Sequence, residues 1–513
     1  MNTGNLLHDA LLGPRAADET PLLTTVGEKA ERSLSWRDMD RMAARMARAL
    51  HRLGARPGDR VCALVEKSPE ALGLYLACLR GGFVFQPLNP AYTDEEVSVF
   101  VRDATPRVIV CDPDRKAGLA ALAKETDARL VTLRGDWRGT FFMLQMVQPE
   151  TFSPVPRKAD DPAALLYTSG TTGRPKGAVL THGNLHANAE ALVRAWAFTE
   201  TDVLIHALPM HHAHGLFVAV HVPFMARSRL LWLPRFDAEA ILEAMPRATV
   251  LMGVPTFYAR LLKHPARRLR TAAAGMRLFV SGSAPLSPAL HAAWKEATGH
   301  EIVERYGLTE TGMNTSLPLA GPRRPGSVGL PLPGVKVRIT DPDSGTPLPP
   351  GETGMVEVKG PNVFPGYWQN PEATQAAFRE DGWFVTGDLG RFDEDGYLHL
   401  MGRARDLIIT GGLNVYPAEV EATLDALPEV AESAVIGLPD PEWGEVVTAI
   451  VVPATSRPPD PEALRAALKE RLAGYKVPRH FRFVKELPRN TMGKVLKDVL
   501  RRELAPARRT GEH

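Results

Sequence analysis

Residues 167–177 read YTSGTTGRPKG and join two apolar runs. The first, Ala163-Ala164-Leu165-Leu166-Tyr167, has the length of a buried strand that stops where the glycines begin. The second, Ala178-Val179-Leu180-Thr181, reads as another strand leading into a helix start at His182-Gly183-Asn184-Leu185. A chain with this junction must hold a polar, glycine-rich turn between ordered elements. Gly170, Gly173 and Gly177 permit backbone shapes that side chains forbid and let amide N–H groups approach a ligand. Thr168, Ser169, Thr171 and Thr172 add hydroxyl donors, and Lys176 adds a positive charge. That inventory suits phosphate oxygens. It departs from the Walker pattern, because Lys176 is followed by Gly177-Ala178 rather than Ser or Thr. Taken alone, the same composition also serves an ordinary surface loop.

The rest of the chain narrows the classes. With 513 residues and 44% apolar content, it can build large cores in about two to four folding units. The 61 basic and 59 acidic residues nearly cancel, which argues against a general nucleic-acid binder. Cys62, Cys78 and Cys111 sit in apolar contexts without a CxxC pair, as core thiols of a reducing compartment do. The N-terminus carries acids and lacks a signal-like apolar core, and no window reaches the ~20 apolar residues of a membrane span. The expected setting is the cytoplasm.

Helical spacing over 36–56, 69–81 and 94–103 alternates with strand-like runs at 59–65, 82–85 and 108–111. This predicts a layered α/β unit with a largely parallel sheet, and the alternation resumes from Asp202 to Glu304. Region 321–400 is rich in Gly and Pro with short strand patterns, as in a β-rich lobe. After Arg403 a new α+β pattern begins, placing a domain boundary near 403–406.

Four further stretches lie in register with the opening loop. They are Glu304-Arg305-Tyr306-Gly307-Leu308-Thr309-Glu310, Trp383-Phe384-Val385-Thr386-Gly387-Asp388, Gly402-Arg403-Ala404-Arg405-Asp406, and Pro488-Arg489-Asn490-Thr491-Met492-Gly493-Lys494. Their order and separation over almost the whole chain resemble the adenylate-forming enzymes: acyl-CoA synthetases, adenylation domains and luciferases. The resemblance implies a large N-terminal domain (1–403) and a small mobile C-terminal one (404–513). It implies ATP, Mg²⁺ and CoA: a carboxylic acid attacks the α-phosphate of ATP to give acyl-adenylate and pyrophosphate, then a thiol displaces AMP.

The resemblance also implies roles. Thr168, Ser169, Gly170, Thr171, Thr172, Gly173 and Lys176 wrap the β- and γ-phosphates. Thr309 touches the α-phosphate and Glu310 holds Mg²⁺. Gly282, Ser283, Ala284 and Tyr306 frame the adenine, with Glu304 in the same ATP-binding set. Asp388 accepts from the ribose hydroxyls, Arg403 supports the ribose, and Lys494 bridges the reacting carboxylate and phosphate. Arg405 stands at the hinge, where many members have Asp or Lys. Gly411, Gly412 and Lys476 face CoA. Lys494 is also a site that a lysine acetyltransferase modifies in related synthetases.

For the acid, the resemblance puts the acyl pocket near His212, the Ser281–Ala284 turn and the residue before Tyr306. That residue is Arg305, where aryl-activating relatives commonly have Gly. A buried guanidinium needs an anion, which a second carboxylate on the substrate supplies. The wider stretches Pro209–Phe217, Glu304–Ser316 and Arg324–Gly329 resemble malonyl-CoA synthetases, with Leu308 where those often have Met. Malonate, with methylmalonate tolerated, is the expected acid. The alternatives are a salt bridge from Arg305 to Glu304 or another acid, with a short- or medium-chain monocarboxylate in the pocket, or loading of a carrier-protein thiol. No carrier domain follows residue 505, which favours free CoA. His211, His212 and His214 also raise the idea of a metal site, against which stands the lack of a carboxylate or cysteine nearby.

Overall fold

The computed structural model describes residues 3–27, 30–168 and 175–504. Ser169, Gly170, Thr171, Thr172 and Gly173, which the resemblance expects to wrap phosphates, lie outside them.

The opening junction is a hairpin. Strand Pro162–Thr168 pairs antiparallel with Lys176–Thr181, and Thr168 and Lys176 are direct partners at its open end. Both strands join a sheet whose order runs Gly366–Tyr367, Lys176–Thr181, Pro162–Thr168, Val84–Pro87, Arg60–Leu64, Val108–Cys111, Arg129–Thr132. From Pro162–Thr168 onward its neighbours run parallel, with crossover helices between them. Each crossover helix is bounded by local chemistry. Helix Pro69–Gly81 starts on a Ser68 side-chain cap with Pro at its first position and stops at Gly82, φ 68°. Helix His182–Ala195 starts on a Thr181–Asn184 capping box. Cys62, Cys78 and Cys111 are all buried here.

A second sheet runs Leu330–Pro331, Gly312–Ser316, Ile302–Leu308, Leu278–Ser281, Val250–Gly253, Val203–His206, Arg229–Trp232, Pro21–Thr25, Ser33–Ser35. Its central strands are parallel and buried along their length, as strands covered on both faces must be. The chain leaves these strands at Ser281-Gly282-Ser283, His206 and Leu308, two residues past Tyr306. All three exits are therefore at the carboxyl edge of one sheet, where open α/β sheets place ligands. The β-rich lobe is antiparallel, in the order Lys336–Thr340, Gly354–Lys359, Phe384–Phe392, Leu398–Arg403.

Beyond Arg403 the chain builds a separate sheet from Ile408–Thr410, Leu413–Val415, Val430–Asp440, Gly444–Pro453 and His480–Phe483. It has its own apolar clusters, around Val420, Leu424, Val447 and Leu468 on one side and Ile436, Ile450 and Leu500 on the other. Among the described residues, no helix is long and apolar enough to cross a membrane.

Candidate active site

The hairpin end, the β-rich lobe and the sheet's carboxyl edge meet around Glu310. Glu310 Oε1 accepts from Thr168 Oγ1 at 3.2 Å and from the Tyr367 hydroxyl at 3.1 Å. The Lys176 ammonium lies 5.2 Å from the centre of the Tyr367 ring. Tyr367 therefore ties together the two charged groups that flank the loop. Burial, then Glu310, pushes its phenol well up, so it stays a donor.

Asp388 and Arg403 are cross-strand partners, which brings residues fifteen apart in sequence side by side. Asp388 Oδ1 pairs with Arg403 Nε at 2.8 Å, and Asp388 Oδ2 accepts from the Tyr306 hydroxyl at 2.5 Å. Arg403 Nη1 donates to the Thr386 carbonyl at 3.1 Å. Burial and then Asp388 push the Tyr306 phenol well up. Burial opposes the Arg403 charge, but Asp388, Tyr306 and Glu310 outweigh it. This end of the site is internally paired.

The end around Arg305 is not. Glu304 and Arg305 are neighbours on strand Ile302–Leu308 and so project to opposite faces. Arg305 is 3% exposed and makes no ion pair among the described residues, so the alternative of a bridge to Glu304 or another acid is not formed here. Its guanidinium lies against Gly282: a Cβ there would meet Arg305 Cζ at 2.4 Å. Arg305 Nη2 donates to Ser283 Oγ at 3.4 Å, and Ser283 Oγ lies 3.3 Å from His214 Nδ1. Arg305 Nε and His214 Nε2 are buried without a hydrogen-bond partner. Burial holds Arg305 down to about 9, with Glu304 and Tyr258 opposing. Ser283 itself has φ 70°, a strained value for a residue with a side chain. Glu304 accepts from the Leu286 N–H at 3.1 Å, and burial pushes its carboxyl up to about 8.

The three neighbouring histidines take separate partners. His212 Nε2 lies 3.0 Å from Thr491 Oγ1 of the small domain, His214 faces Ser283, and the His211 ring stands 4.4 Å from that of His212. Burial lowers His212 to about 4 and His211 to about 3, so both rings are neutral. Among the described residues no group of three or more His, Cys, Asp or Glu could hold a metal ion by itself.

Lys494 reaches the cleft from the small domain. Crowding by protein lowers its amine, Arg403 and Arg405 lower it further, and Asp388 and Asp406 oppose. The side chain keeps solvent contact, so the cleft does not seal it off. Arg405 sits in the turn Ala404–Asp406 and pairs with Asp498 at 3.5 Å. Lys476 is engaged within its own domain by Glu419, at 2.7 and 2.8 Å. Gly411 and Gly412, φ 56° and 77°, form the two-residue turn between Ile408–Thr410 and Leu413–Val415, a geometry that explains both glycines.

Residues 14–368 match the AMP-binding enzyme family and 419–494 match the AMP-binding enzyme C-terminal domain. The chain belongs to the AMP-binding enzyme family. It is an acyl-CoA ligase of the adenylate-forming superfamily. A feruloyl-CoA synthase of Amycolatopsis sp is 39% identical over 92% of this chain and 94% of its own. A malonate–CoA ligase of Arabidopsis thaliana is 37% identical over 88% of this chain and 79% of its own. ATP-bound MatB from Rhodopseudomonas palustris is 51% identical, covers 98% of this chain and 99% of its own, and superposes with a TM-score of 0.95. The apo form of that MatB gives 0.85 at the same identity and coverage.

Two positions in this ligase escaped sequence reasoning. Tyr367 has no local signature, since its role comes from two elements far away in the chain. Thr386, which fixes Asp388 N through its hydroxyl at 3.0 Å, lies inside a recognised stretch but reads as an ordinary strand threonine. Gly282, which the resemblance expects to frame the adenine, also leaves the space that the Arg305 guanidinium occupies.

Proposed function

We propose that this ligase activates malonate, with methylmalonate tolerated, and delivers it to CoA as malonyl-CoA with release of AMP and pyrophosphate. The observation that carries the reading is Arg305: a buried cation with no carboxylate partner among the described residues, flanked by the unpartnered His214 Nε2 and by Ser283. Leaving a charge buried and unpaired is costly, so the pocket favours an acid that brings an anion of its own. A second carboxylate accepts from a guanidinium in two parallel bonds, which a monocarboxylate tail cannot do. The malonate–CoA ligase and MatB likenesses support the same reading.

In this scheme residues 168–176 and Lys176 hold the outer phosphates of ATP, and Thr309 the α-phosphate. Gly282, Ser283, Ala284, Glu304 and Tyr306 border the adenine, and the Asp388–Arg403 pair the ribose. Magnesium commonly takes one or two protein carboxylates and fills its shell with phosphate oxygens and water. Glu310 fits that need, because two hydroxyl donors fix one of its oxygens in place. The ion supplies charge neutralisation at the phosphates. Lys494 stands between the attacking carboxylate and the α-phosphate and stabilises the charge that builds there. His212 borders the acyl pocket.

After adenylation the small domain, residues 404–513, turns about Arg405 and brings Gly411, Gly412 and Lys476 toward CoA. The two TM-scores against one MatB sequence support such a second arrangement. The three buried thiols suit a reducing cytoplasm. The solvent contact of Lys494 leaves it open to an acetyltransferase, whose product lacks the charge.

The test is a panel of acids with ATP and CoA, read by the mass of the thioester. Malonate is expected to exceed acetate, butyrate, octanoate, 4-coumarate and ferulate in kcat/KM. Best activity with ferulate would favour the aryl reading that the feruloyl-CoA synthase likeness offers. Best activity with a saturated monocarboxylate would overturn malonate alone. Acid-dependent pyrophosphate release without any CoA thioester would point to a carrier thiol instead.

A further inference from the structure

The three residues before Lys494 all touch the large domain, each differently. Thr491 Oγ1 meets His212 Nε2 at 3.0 Å. Met492 is 5% exposed and packs into the large domain's core cluster. Among the described residues it is the only one beyond Arg403 that does so; the apolar clusters of the small domain contain no residue of the large one. Gly493, φ 76°, presses its backbone on Thr256, where a Cβ would meet Cγ2 at 2.9 Å and Oγ1 at 3.0 Å.

The turn that carries them is tied internally. Asn490 Oδ1 accepts from the backbone N–H of Met492 and of Lys494, each at 3.0 Å. Asn490 N–H donates to the Lys494 carbonyl at 3.0 Å, and Arg489 Nη1 to the Gly493 carbonyl at 2.6 Å. A turn so constrained transmits position: where Met492 is seated, the Lys494 backbone two residues on is fixed as well.

We propose that Met492 is a positioning residue for the adenylation step, a reversible plug that seats the lysine-bearing turn in the large domain, with the Thr491–His212 contact as its latch. The proposal rests on the reading that Lys494 serves adenylation. The Thr491, Met492 and Gly493 contacts all cross between domains, so each stabilises this arrangement and none survives a turn of the small domain away from the cleft. A ligand or side chain shifts such an equilibrium only by its differential interaction with the two states, and a plug that exists in one state is wholly differential. Methionine suits the task because its flexible thioether can enter and leave a packed site without demanding one rotamer. The latch ends on His212, at the acyl pocket, so the acid's chamber and the lysine's seat share one hydrogen bond.

The experiment separates the half-reactions. Adenylation is followed as acid-dependent pyrophosphate release in a single turnover without CoA, and thioester formation from supplied acyl-adenylate and CoA. Met492→Ala is expected to slow adenylation about tenfold or more and to leave thioester formation unchanged or faster. Met492→Leu, which refills the seat, is expected to restore most of the loss. Thr491→Val removes only the latch and is expected to slow adenylation about threefold, in the same direction. Unfolding midpoints of all three check that the domains are intact. Equal loss in both half-reactions, no loss of adenylation, or a Met492→Leu as slow as Met492→Ala would each overturn the proposal. Lys494→Ala run alongside isolates the underlying reading: if it leaves adenylation intact, that reading fails whatever the Met492 series does.

Discussion

The two ends of the cleft are built on opposite electrostatic plans. At Asp388, Tyr306 and Arg403 every charged or hydroxyl group has a protein partner at 2.5–3.1 Å. At Arg305 a cation is buried against Gly282 and Ser283 with its Nε unpaired and no ion pair among the described residues. The paired end is organised before any ligand arrives, and a ligand adds to it. The unpaired end is complete only with an anion, so it discriminates: its buried donors penalise an acid that cannot satisfy them. Under the proposed function, shape at one end and unmet charge at the other would divide the labour between holding a common nucleotide and choosing an acid.

The largest effect expected of any single change lies at neither end but at the group that reaches between them. Lys494→Ala should slow adenylation about 10³-fold, the scale of losing a preorganised cation at developing charge. Thioester formation from supplied acyl-adenylate should survive, and measuring both half-reactions on one preparation checks this. Next comes Arg305→Ala. Its kcat/KM for malonate should fall about 10²-fold, while acetate changes far less, because only the diacid loses a charged contact. Equal losses for both acids would erase the contrast between the two ends.

Stability of the free enzyme sharpens the same contrast with opposite signs. Asp388→Asn breaks a satisfied pair and should cost about 1–3 kcal/mol in urea unfolding. Arg305→Met removes an unpaired buried charge and should gain about 1 kcal/mol in the free enzyme. If both variants destabilise alike, Arg305 has a partner in solution and the comparison fails.

The smallest expected effect is a control in the small domain, away from both ends. Burial, countered by Ser433 and aided by Glu421, pushes the Asp425 carboxyl up to about 7. A carboxyl raised on folding binds its proton in the folded state across a pH range where the unfolded chain has released it. The small domain should therefore lose stability as pH rises from about 4 to 7. Asp425→Asn keeps a partner for the Ser433 hydroxyl, now 2.7 Å from Asp425 Oδ1, and removes the titration. Its unfolding midpoint should exceed the parent's at pH 8 and match it at pH 5.

Much of the architecture is legible in local pattern. Helix Pro69–Gly81 and strand Val108–Cys111 fall where period and punctuation put them, because caps, proline and a left-handed glycine act over a few residues. The short N-terminal strands Pro21–Thr25 and Ser33–Ser35 did not announce themselves, since they become strands by adding to Arg229–Trp232, far along the chain. The recognised stretches likewise supplied residue types without their partners. Asp388 and Arg403 were both singled out, but their ion pair follows from strand register; Glu310 was singled out, but Tyr367 was not.

What the sequence determined by itself was the chemistry within reach: a glycine-rich hydroxyl loop, and Glu310, Lys494 and Arg305 in stretches whose order resembles one enzyme family. Those are facts of composition and order, and they survive any folding. What only the tertiary structure decided was which of these charges are met. Glu304 and Arg305 are adjacent in the chain and would neutralise each other on paper, yet the alternation of a β-strand sends them to opposite faces and leaves Arg305 unanswered. Pairing depends on distance and direction in space, and neither is carried by proximity in sequence.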